Sequence, residues 1–160
     1  MDDRAFFGLS ILFSFCAWIL VAVLYVWPAL EGLQVDAALM ALIAPHMFRF
    51  VGLSFLVPGV ISEPLPPGFA RPAAYGDLIA AVLAIGTTLA LSLNASWAIA
   101  AVWIFNVWGS GDLINAMVQG GVRLARAGVL GATFYIPTAI VPGLLVSHAL
   151  IFWLLVMRFT

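Results

Sequence analysis

The sequence contains no lysine and few charges of any kind. Its 160 residues include six arginines, five aspartates and two glutamates, so that charged residues make up 8% of the chain, against about 25% in soluble domains. So few charges cannot cover the surface of a soluble globule of this size, and 65% of the residues are hydrophobic. The composition therefore predicts an all-α integral membrane protein whose outer surface is covered by the lipid bilayer.

Three further absences exclude classes of function. Without lysine no retinal Schiff base can form, and the single cysteine, Cys16, excludes an intramolecular disulfide. A net charge of −1 gives no basic surface for nucleic acid. The sequence lacks the nucleophile, zinc-protease and phosphate-loop motifs. We therefore do not expect an enzyme, and acid–base chemistry at His46 and Asp112 is a distant alternative.

Five apolar runs are long enough to cross a bilayer and predict a single domain with five transmembrane helices. The first has no signal-peptide cleavage site, so it is expected to be retained. Residues 58–72 contain five prolines and predict a non-helical loop. Four spans are the alternative, if the third run only dips into the membrane. The predicted spans are residues 6–27, 37–57, 75–93, 97–119 and 133–157.

The arginines predict the orientation of the chain. With five spans, the side that holds the N-terminus collects four arginines, while the other side has only Arg158. By the positive-inside rule the N-terminus is cytoplasmic and the C-terminus is outside, as in a protein of a bacterial inner membrane. Asp36 is predicted to cap the second helix. The four arginines on the N-terminal side are Arg4, Arg71, Arg123 and Arg126.

His46 and Arg49 lie in the middle of the second predicted span and, three residues apart, share one helix face. An arginine at the centre of a membrane helix costs about 2.5–3.5 kcal/mol, so Arg49 is expected to face the bundle interior and pair with an acid. Asp112 lies at a matching depth in the fourth span and is the first choice. Asp77, expected at the inner mouth of the third span, is the second.

The fourth span is rich in polar residues, which predict a hydrated cavity or a hydrogen-bonded network. Gly109 and Gly111 favour close helix packing, and a break that exposes Asp112 at a half-helix end is the alternative. These polar residues, with the partners from other spans, form the predicted ligand-binding site. Its members are His46, Arg49, Asn106, Ser110, Asp112, Asn115 and His148.

His148 in the fifth span lies at the same predicted level as His46. Two imidazoles at one level on different helices are what the axial ligation of a haem requires. The alternative is that each histidine bonds a carbonyl or Asn106. A metal site is not expected, because no third and fourth ligand are evident.

Three functions remain open at this point. The first is a small multi-pass membrane protein whose buried polar site binds or transports a small ion or molecule. The second is a haem or quinone redox module with His46 and His148 as ligands. The third is a non-catalytic accessory subunit of a larger membrane complex, or a homo-oligomer, whose polar network only fixes helix packing.

Overall fold

The computed structural model describes residues 3–124 and 127–159, and these ranges form a helical bundle without β-strands. We name five helices in chain order. Two of them also contain a helical segment of another type, a π turn in α1 and a 3₁₀ segment in α2. Arg126, one of the four arginines used to predict the orientation, lies outside the described residues. The helices are α1 (Asp3–Glu31), α2 (Val35–Leu56), α3 (Pro67–Ser92), α4 (Ala98–Arg123) and α5 (Val141–Phe159).

Helix α1 is almost entirely exposed, since none of the residues Asp3–Val21 is buried. The predicted end at residue 27 is four residues too early, because Pro28 starts a last short stretch, Trp27–Glu31, and does not end the helix. A wider π turn, Ala22–Val26, precedes it. Trp18 fixes α1 to the rest of the bundle by donating its indole N–H to the carbonyl of Ala139 at 2.8 Å.

Helix α2 changes type in its middle. It is α-helical over Val35–Ile43 and 3₁₀-helical over Ala44–Leu56. The change coincides with Pro45, which has no N–H to donate to a preceding carbonyl. The hydroxyl of Ser147 on α5 instead donates to the carbonyl of Leu42 at 2.7 Å. The predicted cap at Asp36 is wrong, because the helix starts at Val35, two residues before the predicted start, and Asp36 lies in its first turn.

Helix α3 begins at Pro67, eight residues before the predicted start of the third span. The prediction of a non-helical loop over residues 58–72 is therefore wrong for residues 67–72, which are helical. Pro67 lies in the first turn, where backbone N–H groups have no helical partner and a proline costs nothing. Pro72 follows inside the helix. As a consequence, Asp77 lies ten residues into a helix of 26 residues and not at its mouth.

Helices α3 and α4 are joined by a tight turn over residues 93–97. Asn94 takes a positive φ of 51°, which asparagine tolerates better than most residues. The N–H of Ala95 bonds back to the carbonyl of Ala90 at 2.9 Å. Helix α4 then runs without interruption over Ala98–Arg123, so the alternative of a break at Gly109 and Gly111 is wrong.

A 3₁₀ segment, Ala127–Phe134, and a π turn, Ile136–Ile140, lead from α4 into α5. The segment is kinked at Gly131, whose φ of 55° and ψ of −132° are accessible to glycine. The backbone at Val60 and Ser62 packs against this glycine. Pro137 lies in the π turn and Pro142 in the first turn of α5, where neither interrupts the helix that follows.

Four of the described helical stretches are long and apolar enough to cross a membrane, and they indicate a membrane protein. Helix α4 has the same length as α3 but is not among them, since polar residues such as Asn106, Asp112 and Asn115 interrupt its apolar run. The four stretches are Asp3–Glu31, Val35–Leu56, Pro67–Ser92 and Ile136–Met157.

The core of the bundle consists of two separate apolar clusters. One surrounds Phe105 and Ile151, and the other surrounds Phe55 and Leu113. Each of the helices α2 to α5 contributes one segment to the first cluster and another segment to the second. Buried polar residues lie between these two segments on all four helices. The clusters therefore enclose a polar layer at the middle of the bundle.

Candidate functional site

The polar layer brings together six side chains from four helices. Helix α2 provides two of them, α3 one, α4 two and α5 one. All are buried except Asp112, whose side chain keeps 12% of its surface exposed. Between apolar clusters such groups are shielded from bulk solvent, so they must satisfy one another. The six are His46, Arg49, Asp77, Asn106, Asp112 and His148.

The 3₁₀ geometry of α2 determines which of its residues face this layer. A 3₁₀-helix has three residues per turn, so residues three apart lie directly above one another. His46, Arg49, Gly52 and Phe55 follow this spacing, and these four are the buried residues of Ala44–Leu56. In an α-helix the same spacing would drift around the axis. The conformation thus forms one straight interior stripe.

Arg49 is the centre of the layer and binds two carboxylates. Its Nε donates to Oδ1 of Asp77 at 2.8 Å, and its Nη2 donates to Oδ2 of Asp112 at 2.7 Å. Its Nη1 donates to the carbonyl of Gly109 at 3.0 Å. The prediction that Arg49 pairs with Asp112 agrees with this geometry. The expectation that Asp77 lies at the inner mouth of its span is wrong, because its carboxylate bonds Arg49 at the same level as that of Asp112.

Three glycines provide the space for these charged groups. A Cβ added at Gly52 on α2 would overlap the Asp77 carboxylate from α3, and a Cβ added at Gly76 on α3 would overlap the Asp112 carboxylate from α4. A Cβ added at Gly109 on α4 would lie 3.0 Å from Nη1 of Arg49. Each of the three helices therefore receives a charged side chain from another in a closed cycle.

The two histidines contact each other and share Phe105 as a neighbour. Their ring centroids are 4.2 Å apart, and each lies within 5.3 Å of the Phe105 ring. His148 Nδ1 lies 2.6 Å from Oδ1 of Asn106, while the Asn106 amide N–H donates to the carbonyl of His148. An amide oxygen can only accept, so the assigned orientation makes Nδ1 of His148 the protonated nitrogen.

The other imidazole nitrogens in the layer are not bonded. Within residues 3–124 and 127–159, Nε2 of His148 and both ring nitrogens of His46 are buried and lack a hydrogen-bond partner. With Nδ1 protonated, Nε2 of a neutral His148 is an acceptor. It lies 2.8 Å from the point where a Gly109 Cβ would be, beside Arg49 Nη1. The free acceptor therefore faces the charged part of the layer.

The histidine pair does not fit the haem alternative. Axial ligation places an iron between the two imidazoles with each nitrogen about 2 Å from the metal. The His46 and His148 rings instead touch at an interplanar angle of 53°, which leaves no space for a macrocycle between them. The described residues also contain no group of three or more His, Cys, Asp or Glu side chains that could hold a metal ion.

Two of the residues predicted for the site lie outside the layer. Asn115 is exposed on α4, because α3 and α5 cover other faces of that helix. The hydroxyl of Ser110 donates to the carbonyl of Asn106 in its own helix at 2.6 Å. Asp77 was missing from the predicted site and ranked second as a partner of Arg49. The signal for its depth is Pro67, because proline is favoured in the first turn of a helix and allows α3 to begin there.

A small cavity lies beside Asp77. Its volume is about 50 Å³, and its walls are apolar, including Phe7, Phe55, Phe69 and Leu113. A wider cavity of about 210 Å³ shares Phe7 with it and reaches Arg4 near the N-terminus. Together they mark a direction from the N-terminal end of the bundle to the Asp77 carboxylate.

Comparison with known proteins gives one match. Residues 6–156 match the family model described as Domain of unknown function (DUF8737). Neither the curated proteins nor the solved structures include a match to the chain.

Proposed function

This chain belongs to the DUF8737 family, and we propose that it is a multi-pass membrane protein whose buried polar layer binds or moves a small ion. The observation that carries the proposal is Arg49, which is 2% exposed and bonded to carboxylates from two other helices. Ionisable residues at membrane depth are rare and mark ion or substrate pathways.

The cost of the layer argues against a role in helix packing alone. Insertion of one arginine or aspartate at a helix centre costs about 2.5–3.5 kcal/mol. Buried ion pairs seldom recover such a cost, and apolar side chains of similar volume are often as stable or more stable. The apolar clusters on both sides hold the helices together without charges. Function is therefore the better reason for three charged groups at this depth.

In the proposed topology α4 is a fifth span and the N-terminus is cytoplasmic. Helix α4 has 26 residues, as does α3, to which a short turn connects it. Arg4, Arg71 and Arg123 belong to the end of the bundle that holds the N-terminus, as the positive-inside rule requires of a cytoplasmic face. Trp27 and Trp153 meet edge to face near the opposite end, with centroids 4.3 Å apart. We propose a bacterial inner membrane as the location.

A second candidate function is that of an accessory subunit or a homo-oligomer. It is favoured by α1, whose Asp3–Val21 part buries no residue and leaves apolar side chains such as Phe13 exposed. Either lipid or another membrane helix can cover this face. Purification in mild detergent distinguishes the two, because an accessory subunit elutes with a larger partner.

Thermal unfolding of the detergent-purified full chain tests ion binding. The protein is melted in matched series of sodium, potassium and choline chloride and over a range of pH, and the Asp77→Asn and Asp112→Asn variants are treated alike. Ion binding predicts a melting temperature that depends on one cation or on pH in the wild type and loses this dependence in both variants. A wild-type melting temperature that is indifferent both to these cations and to pH contradicts the proposal.

A further inference from the structure

We propose that the polar layer carries one exchangeable proton, shared between the carboxyl groups of Asp77 and Asp112, and that the proton is the ion of this site. The inference rests on the proposed function and names its substrate. Three observations support it: the charge of the layer, a free acceptor that faces it, and the shortage of oxygen ligands for a metal cation.

The charges of the layer do not balance. The ionisable groups that face one another from the four helices are Arg49 and His46 on α2, Asp77 on α3, Asp112 on α4 and His148 on α5. With neutral imidazoles, one guanidinium faces two carboxylates, which leaves one negative charge. An unbalanced charge in an apolar interior is neutralised by taking up or losing a proton. One added proton makes the layer neutral.

His148 independently indicates a missing proton donor. Its Nε2 is buried, accepts no hydrogen bond within the described part of the chain, and lies beside the Arg49 guanidinium at Gly109. An acceptor in such a place is normally satisfied. Arg49, which lies beside this acceptor, also bonds both carboxylates, so the acceptor belongs to the same group of charges.

The packing around the carboxylates favours a proton over a metal cation. Gly52 and Gly76 press against the two carboxylates, and Arg49 occupies one oxygen of each. Hard divalent cations require about six to eight oxygen ligands. The adjacent cavity is lined by the Asp77 carboxylate and by apolar side chains such as Phe55 and Leu113. These apolar side chains have no oxygen atoms with which to complete the coordination shell of such a cation.

The same cavity provides a route for the proton from the N-terminal end. About 10–15 Å³ is sufficient for one water molecule, and the cavity beside Asp77 measures about 50 Å³. A hydronium ion that reaches it through the wider cavity near Arg4 transfers its proton to a carboxylate oxygen and leaves a water molecule. Ala73 lines the narrow part, so a larger side chain there blocks the route.

Infrared spectroscopy of the full chain in lipid at neutral pH counts protonated carboxyl groups through their C=O stretching band. The expected count is one in the wild type and none in either Asp77→Asn or Asp112→Asn, since Arg49 balances the remaining acid. In Arg49→Gln it is two, because both acids then lack a cation. Asp36→Asn, at an exposed position, serves as the control and leaves the wild-type band unchanged.

Transfer to D₂O tests the route. The wild-type band shifts as the proton exchanges, and Ala73→Leu slows the shift several-fold, whereas Gly111→Ala, which has open space around it, does not. A wild type without a protonated carboxyl overturns the inference, and this result needs no variant to fold. If sodium or potassium then still stabilises the protein through Asp77 and Asp112, the ion-binding function stands and only the identity of the ion is wrong.

Discussion

The carboxylate of Asp77 occupies the space in which a side chain of residue 52 would begin, so Gly52 and Asp77 form one unit across two helices. The same relationship joins Gly76 to Asp112, and at Gly109 the His148 ring and Arg49 Nη1 are the nearest atoms. Small residues in membrane proteins commonly let two helix backbones approach each other. Here they let a charged side chain approach a backbone.

This arrangement predicts that Gly52→Ala and Gly76→Ala each destabilise the protein by about 1–3 kcal/mol, the usual cost of overpacking. The added methyl group would push a carboxylate away from Arg49. Melting in detergent measures the effect as a fall of several degrees. Gly86→Ala and Gly111→Ala, at helix positions with open space, are the matched controls. Equal melting temperatures for all four variants would show that the carboxylates can move aside freely.

Arg49→Ala is expected to destabilise the fold by about 3–5 kcal/mol, because it leaves two buried acids without their cation. Combination with Asp112→Ala is expected to cost less than the sum of the two single changes, by about 0.5–3 kcal/mol. The corresponding double-mutant cycle of Arg49→Ala and Asp77→Ala should give a coupling energy of the same sign, since both acids bond Arg49. Additive losses in both cycles would mean that the guanidinium is not shared.

Asn106 is expected to fix the tautomer of His148. ¹⁵N NMR of histidine-labelled protein should report a neutral His148 with its proton on Nδ1, because that nitrogen donates to Asn106 Oδ1. Asn106→Leu removes the acceptor, shifts the signal and costs about 1–3 kcal/mol by leaving a buried donor unpaired. Ser110→Ala on the same helix, where the hydroxyl bonds only the backbone of α4, should leave the signal in place.

The 3₁₀ conformation of α2 predicts a period of three in cysteine accessibility. In a Cys16→Ser background, Phe55→Cys should resist an apolar thiol reagent in the membrane and Leu56→Cys should react. Phe55 is 4% exposed, whereas Leu56 is 36% exposed. An α-helix continuing from Arg49 would reverse this pair, because its buried face would fall near residues 53 and 56. Reaction rates measured by mass spectrometry decide between the two.

Five spans predict that the two termini lie on opposite sides of the membrane. A reporter fused in the loop at Gly59 should be active on the cytoplasmic side, and one fused after residue 160 on the outer side. The physical reason is the arginine excess at the N-terminal end of the bundle. A cytoplasmic C-terminal fusion would leave four spans and make α4 a helix that does not cross.

Depth was predictable from the sequence by counting residues to the ends of the predicted spans. The pairing of Arg49 with Asp112 follows from their similar distance to the helix ends, and the level shared by His46 and His148 follows from the same counting. Counting residues along a helix gives no information about the distance between side chains on different helices. The two rings therefore suggested a cofactor between them, although the structure brings them into contact.

Two features could not be read from residue types. The depth of Asp77 depends on whether Pro67 begins a helix or a loop, and proline is compatible with both. The 3₁₀ conformation of Ala44–Leu56 has no propensity signal of its own, because long 3₁₀ runs are uncommon. Packing of Arg49 and Gly52 against α3 and α4 selects it, and that packing exists only in the assembled bundle.

The 3₁₀ half of α2 is also a stretched form of the chain. Thirteen residues rise about 26 Å as a 3₁₀-helix and about 20 Å as an α-helix. A change from the first form to the second would shorten the segment by about 6 Å and turn each residue about 20° less than before. Such a change would rotate and shift Arg49 and Gly52 at the same time, and so separate them from Asp77 and Asp112. The segment thus has the geometry of a screw, in which axial travel and the breaking of both ion pairs are one movement.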